Sequence, residues 1–323
     1  MIYADIQCHG DEVLSLPLLN WLDHESFMFR VAVDTTLDAP TVELQRQVNS
    51  LKYSKGMLEK SNPASWGGIS IVKNILAALD SALAHPGWEY FATLSGACFP
   101  LKPPGEMLDY LDARRRDKNK KVFMSSVSPG FNRAIQSPIS IDACASDVVS
   151  STAYLGRAKV SCNKTISSLI RENLFRPIQN IKHRQCAQFL EESKNHFIVR
   201  PMDMEAKSRL FDLNMHYGHM YGRQWVVLHR EVVEWLVESG TAKTVSELLA
   251  RTFIPDESFF QRCLAGPHSP FFGNIQQSCW MNGGGSKKIT KNDLEARGAM
   301  PGKLFARKMD PSVVQCVNRM CYA

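Results

Sequence analysis

The chain has no uninterrupted apolar run of the roughly 18 residues that a membrane-spanning helix needs. It begins MIYADIQCHGDEV, without the basic stretch and apolar core of a secretory leader, and so reads as cytosolic. No Cys-x-x-Cys occurs among Cys8, Cys98, Cys144, Cys162, Cys186, Cys263, Cys279, Cys316 and Cys321, which argues against a zinc site or a dithiol redox motif. An odd number of scattered thiols fits a reducing compartment, with each cysteine packed as a small core residue. Internal repeats and low-complexity segments are absent, and the Gly-x-x-x-x-Gly-Lys spacing of a P-loop does not occur. Charge of one sign is in small excess, 38 Lys and Arg against 32 Asp and Glu. That balance suits an anionic ligand or an anionic membrane surface. Without a basic stretch interleaved with aromatics, it predicts no nucleic-acid partner.

The 323 residues are 44% hydrophobic and 22% charged, as in an ordinary globular domain. Met1–Gln7, Phe29–Asp34, Trp88–Leu94 and Lys121–Val127 read as strands. Helical stretches around Val13–Leu22, Ile69–Ala84 and Glu106–Arg116 alternate with them. In Ile69–Ala84, the residues Ile69, Val72, Leu76, Leu79 and Leu83 recur every three or four positions and share one face. This rhythm predicts an α/β fold with a mostly parallel central sheet flanked by helices. Ligands of such sheets sit beyond the carboxyl ends of the strands, which singles out Asp34 and the Leu94–Leu101 loop. The polar middle predicts helices near Lys164–Asn173 and His183–Lys194. Later segments read as a strand over Gln224–His229, helices over Glu231–Glu238 and Pro255–Leu264, and a strand over Lys303–Met309.

Several clusters carry chemistry. Pro255-Asp256-Glu257 opens an aromatic-rich helix. Its carboxylates either meet the helix dipole or supply, at Glu257, a partly desolvated general base. Arg307 and Lys308 are adjacent on an apolar strand, so at most one faces a given site unless the strand ends there. They form either a buried ion pair with a solvated neighbour or a clamp for a diphosphate. Asn282–Lys288 (NGGGSKK) is either a flexible loop or a phosphate contact. Ser65–Ser70 (SWGGIS), at a helix start, suits an anion or tight packing. The basic run Arg114–Lys121 (RRRDKNKK) is either a solvated helix end or a peripheral membrane contact. Asp-x-Asp, which holds the metal in many sugar-nucleotide transferases, is missing; Asp203-Met204-Glu205 and Asp293-Leu294-Glu295 come nearest.

Six segments, in order, resemble the core-2/I-branching β-1,6-N-acetylglucosaminyltransferase family, which also contains the peptide O-xylosyltransferases. They are Val31-Ala32-Val33-Asp34, Ala64–Ser70, Trp88–Leu101, Gly222–Glu231, Pro255-Asp256-Glu257 and Leu304–Asp310. The resemblance implies a GT-A-like nucleotide-sugar-binding fold and an inverting, metal-independent glycosyltransferase. Such an enzyme moves a sugar, GlcNAc in the first place, from a UDP-sugar to a hydroxyl of a glycan or lipid-linked glycan acceptor. It further implies Glu257 as catalytic base. Asp34, Lys288, Arg307 and Lys308 fall on the donor, with Asp34 at the uridine and the lysines at the diphosphate. Trp280 falls on the acceptor, and neither metal nor other cofactor is expected. Arg223 stands where the family commonly has serine, and would either meet an acidic acceptor or pair with a carboxylate.

The disulfide framework of the animal enzymes is not recognisable. That points to a bacterial member making surface polysaccharide in the cytoplasm, peripheral to the inner membrane. The expected organisation is a single domain, with 1–127 as nucleotide-binding half, 128–215 as variable helical insert and 216–323 as acceptor and catalytic half. A xylosyltransferase-like or other UDP-sugar transferase, or a non-catalytic sugar-nucleotide-binding module, is the alternative.

Overall fold

The computed structural model describes residues 1–8, 14, 16–34, 42–53, 55–64, 68–125, 127–129, 153–154, 187–193, 196–201, 204–218, 220–250, 252, 255–277, 280–282, 289–290 and 302–307. Its first half is built of β1 (Ile2–Cys8), α1 (Leu16–Leu22), β2 (Phe27–Asp34), α2 (Val42–Asn49), β3 (Lys55–Ser61), α3 (Ser70–Leu83), β4 (Tyr90–Ser95), β5 (Phe99–Pro100), α4 (Pro104–Lys118), β6 (Val122–Met124) and β7 (Val127–Pro129). Then come β8 (Ala153–Tyr154), β9 (Ala187–Ser193), β10 (His196–Pro201), α5 (Met204–Tyr217), β11 (Met220–Gly222), β12 (Val226–His229), α6 (Arg230–Glu238), α7 (Thr241–Leu248) and α8 (Asp256–Ala265). A 3-10 turn at Phe272–Asn274 leads to β13 (Ile275–Gln276), β14 (Trp280–Asn282) and β15 (Phe305–Arg307).

Seven strands form the central sheet in the order β13-β6-β12-β4-β1-β2-β3. All neighbours are parallel except β12, which is antiparallel to both β4 and β6. The chain therefore has the α/β architecture, mostly parallel, that its strand and helix rhythm predicts. Every residue of β1, β2 and β4 is buried, because helices cover both faces of the sheet. On one face Tyr3, Met28 and Phe91 pack with Val72, Ile75 and Leu79 of α3, Val233 and Leu236 of α6, and Phe259 and Phe260 of α8. On the other, Ala4, Ile6, Phe29 and Val31 pack with Trp21 of α1, Leu44 of α2 and Met107 and Leu111 of α4.

One face changes character along the strands. The register pairs Tyr3 with Phe91, Asp5 with Thr93 and Gln7 with Ser95, so in these parallel strands the three steps lie on the same side. It is apolar at the amino end and polar towards the carboxyl end. In its middle, Arg30 on β2 donates to Asp5 on β1 at 3.0 Å and to Glu59 on β3 at 2.7 Å. Gln7 donates to the other Asp5 oxygen at 3.3 Å.

In the middle of the chain, two expectations meet different outcomes. The predicted helix over 183–194 is, in its described part, the strand β9, paired antiparallel with β10 across a two-residue connection. Ala187–Ser193 contains good helix formers, but pairing with His196–Pro201, which holds the β-branched Ile198 and Val199, outweighs local preference. The helix predicted over 164–173 lies outside the described residues.

Burial raises the Asp5 carboxyl to about 6, against the countervailing charge of Arg30. Folded Asp5 holds its proton to higher pH than in the unfolded chain, so its contribution is complete below about pH 4 and lost as pH rises through about 6. In urea titrations, the stability of the native sequence minus that of Asp5→Asn is expected to fall by about 2 kcal/mol between pH 4 and pH 7 and then level off. A difference that grows over that interval would mean that Arg30 keeps Asp5 ionised throughout.

Candidate active site

Because β12 runs against its neighbours, its first residue lies at the same edge as the last residues of β4, β1 and β2. Thr93 fixes this register: its Oγ1 donates to the Gln224 carbonyl at 2.9 Å and accepts from the Val226 N–H at 3.0 Å. The Gly222–Trp225 segment is thereby held at the carboxyl edge, where ligands of open parallel sheets are expected.

Helix α8 arrives at this edge by its N-terminus. Pro255 precedes it, and the Ser258 and Phe259 N–H groups both donate to the Pro255 carbonyl. Nine of its ten residues are buried, and Glu257 is the exception. Three polar side chains pin the helix. Ser258 Oγ donates to the Met220 carbonyl at 2.9 Å and accepts from Arg262 Nε at 2.7 Å. Arg262 also donates to Asn214 and to the Gly218 carbonyl. Gln261 Nε2 donates to the Arg223 carbonyl at 2.8 Å, tying the Gly222–Trp225 segment to α8 one turn beyond Glu257. Arg223 then faces Glu257, with its guanidinium nitrogen 3.5 Å from the carboxylate. Of the two alternatives for Arg223, pairing with a carboxylate is the one seen, and that carboxylate belongs to the predicted base.

Arg307 reaches the same edge from a small separate sheet, β14-β15-β5. Its guanidinium lies 4.4 Å from the centre of the Trp225 ring, and its Nε donates to Ser95 Oγ at 3.0 Å. The Ser95 N–H in turn donates to Cys98 Sγ at 3.3 Å inside the predicted loop. Arg307 ends β15, and among the described residues it forms no ion pair. An aromatic platform and a hydroxyl, rather than a buried carboxylate, set its direction, so its remaining donors can meet an anion.

Asp34 ends β2, with its Oδ1 accepting from the Ala64 N–H at 3.4 Å. It lines a narrow cleft of about 10 Å³, room for about one water, with Gln7, Cys8, Ser61, Ala64 and Asn74. Two strand steps, of about 4.8 Å each, separate β2 from β4. Asp34 and the Arg307–Ser95 pair therefore stand about 10 Å apart along one edge.

The structure thus brings Glu257, Arg223, Arg307 and Asp34 to one edge of the sheet. Trp280 starts β14 beside Phe305 of β15, with Asn282 beside Arg307; its side chain lies outside the described residues. Lys288 and Lys308 also lie outside them, as do Ser65, Trp66 and Gly67 of the helix-start signal. Reasoning from sequence missed Thr93, Ser95, Trp225 and Gln261. Trp225 and Ser95 stood in segments already singled out, but their partners are distant in the chain.

Residues 8–134 match the family model described as Core-2/I-Branching enzyme. Xylosyltransferase 2 of Canis lupus familiaris and of Bos taurus are each 30% identical over 117 residues, 34% of this chain. The match spans 13% of the length of these curated relatives. Mouse Xyloside xylosyltransferase 1 in its apo form aligns over 97% of this chain and 99% of its own, at 7% identity and a TM-score of 0.38.

Ser258 is 4% exposed and satisfies two partners at once. Ser258→Ala leaves Arg262 Nε and the Met220 carbonyl short of a partner, and is expected to cost about 2 kcal/mol in urea unfolding. A loss under about 0.5 kcal/mol would mean that α8 is positioned by its apolar packing alone.

Proposed function

We propose that the protein is a glycosyltransferase that moves a sugar from a UDP-sugar to a hydroxyl of a glycan acceptor with inversion, Glu257 acting as general base. One observation carries the reading: in a helix otherwise buried throughout, the single open side chain is a carboxylate, aimed at the ligand edge of the sheet. The family model matched by residues 8–134 supports it from a separate direction.

The acceptor hydroxyl attacks the anomeric carbon while Glu257 takes its proton. The bond from that carbon to the diphosphate oxygen breaks, and its electron pair leaves with UDP. Negative charge grows on the diphosphate as this happens, and fixed cations aimed at it lower the barrier. Arg307, held on Trp225 and Ser95, takes this role together with its neighbour Lys308 and with Lys288. Asp34, at the tip of β2, takes the uridine, and Trp280 lines the acceptor. Such a set of cations needs no metal to neutralise the leaving group. GlcNAc is the favoured sugar and xylose the second.

The place proposed for the enzyme is bacterial surface polysaccharide synthesis at the membrane periphery. The basic run ends α4 and leads into β6, at the amino edge of the sheet. There Lys120 donates to the Gly273 carbonyl, next to an exposed Phe272. A bilayer held by that surface faces away from Glu257, which favours a glycan reaching into solvent over a lipid-linked acceptor. Binding to anionic vesicles that survives neutralisation of Lys118 and Lys120 would remove this contact.

Glu257→Gln is expected to lower acceptor-dependent UDP release by about 10²–10⁴-fold with the stability of the fold retained. A thermal-shift series with UDP-GlcNAc and UDP-xylose is expected to show stabilisation by one donor, unchanged by EDTA. Full turnover in Glu257→Gln would take the base role from this residue, and loss of the donor shift in EDTA would return the diphosphate to a metal.

A further inference from the structure

We infer that Arg223 selects acceptors that carry a carboxylate beside the reacting hydroxyl, as uronate sugars do, and that this carboxylate draws Arg223 off Glu257. The inference rests on the transferase reading of Glu257 and names the acceptor class for it.

The Arg223–Glu257 contact is built to be exchanged. At 3.5 Å it is longer than the 2.7 Å of Arg30–Glu59 or Arg230–Glu234 in the same molecule. The Arg223 side chain is 42% exposed and that of Glu257 24%. A pair so open to water is worth about 1 kcal/mol or less. A ligand carboxylate that engages the guanidinium through two parallel hydrogen bonds can replace it at little cost.

The backbone beneath Arg223 does not take part in that exchange. Gln261 holds its carbonyl, and Thr93 holds that of the next residue. The guanidinium therefore pivots on a fixed base within reach of Glu257. Asp256 and Glu257 together place two carboxyl groups at this helix start, a setting that repels an anionic acceptor unless a cation faces it. Two other arginines of the site are held in other positions. Arg262 is buried on Ser258, Asn214 and Gly218, and Arg307 is seated on Trp225 and Ser95. Once the ligand carboxylate holds Arg223, the guanidinium no longer stands between Glu257 and the neighbouring hydroxyl. An acceptor of the wrong charge leaves the arginine where it is, across the carboxylate.

Calorimetric titration of the full chain without donor tests this. The probes are glucuronate- and galacturonate-containing tetrasaccharides, each against its carboxyl-reduced counterpart. The acidic form of at least one is expected to bind about tenfold more tightly, and added salt to narrow the gap. Arg223→Ser is expected to abolish the difference, and Arg223→Lys to keep part of it. Equal binding of acidic and reduced forms, binding of neither, or a preference that survives Arg223→Ser overturns the inference. UDP release with the same acceptors is read separately. A charge preference without any UDP release would count against the transferase reading and leave the role of Arg223 in binding intact.

Discussion

Thr93 bonds both to the carbonyl before Trp225 and to the N–H after it, and so fixes β12 in register against β4. The direction of β12 is what matters. A parallel strand in that position would deliver its last residues to the ligand edge; an antiparallel one delivers the residues that precede it. Arg223 and Trp225 stand where they do for this reason. Trp225 carries Arg307, and Arg223 meets Glu257, so both cations owe their place to one strand orientation. Ser258 and Gln261 then fasten α8 to the same stretch of chain, so Glu257 and Arg223 share one support.

The polar row on the α3 and α8 side of the sheet has a different standing. Arg30 with Asp5 and Glu59 occupies a layer that could have been aliphatic, and buried pairs of this kind seldom add net stability. Their place between an apolar amino half and the ligand edge is informative all the same. Gln7, Ser95 and Asp34 at that edge continue the row, and Gln7 hydrogen-bonds the buried Asp5. The floor of the cleft is thereby tied to the interior by hydrogen bonds as well as by packing.

Much of this was legible in the sequence, for identifiable reasons. The three- and four-residue spacing from Ile69 to Leu83 located α3 to within a residue at each end. The apolar run ending in Asp34 placed β2 and the acid at its tip. β3 escaped notice because Lys55–Ser61 lies at the sheet edge and needs few apolar residues. Three of the six segments behind the family resemblance fall within residues 8–134, the part the family model matches. The segments with Arg223, Glu257 and Arg307 lie beyond it, and there the structure alone assembled the site. No spacing rule could pair Arg307 with Trp225, since a cation over a ring 82 positions away depends on a strand of one sheet meeting the segment that leads into a strand of another. The Arg223–Glu257 contact, 34 positions apart, and the Gln261 bond to the Arg223 carbonyl beside it have no sequence signature either.

The two sides of the Arg223–Glu257 pair are anchored unequally. Glu257 belongs to a helix whose other nine residues are all interior, so few substitutions around it are tolerated. Arg223 lies on a short connection, and its side chain contributes little to the core. Evolutionary drift can therefore rewrite position 223 without disturbing position 257. On the roles proposed for these two residues, the reaction would be the inherited part within one lineage, and the choice of what receives the sugar the part free to diversify.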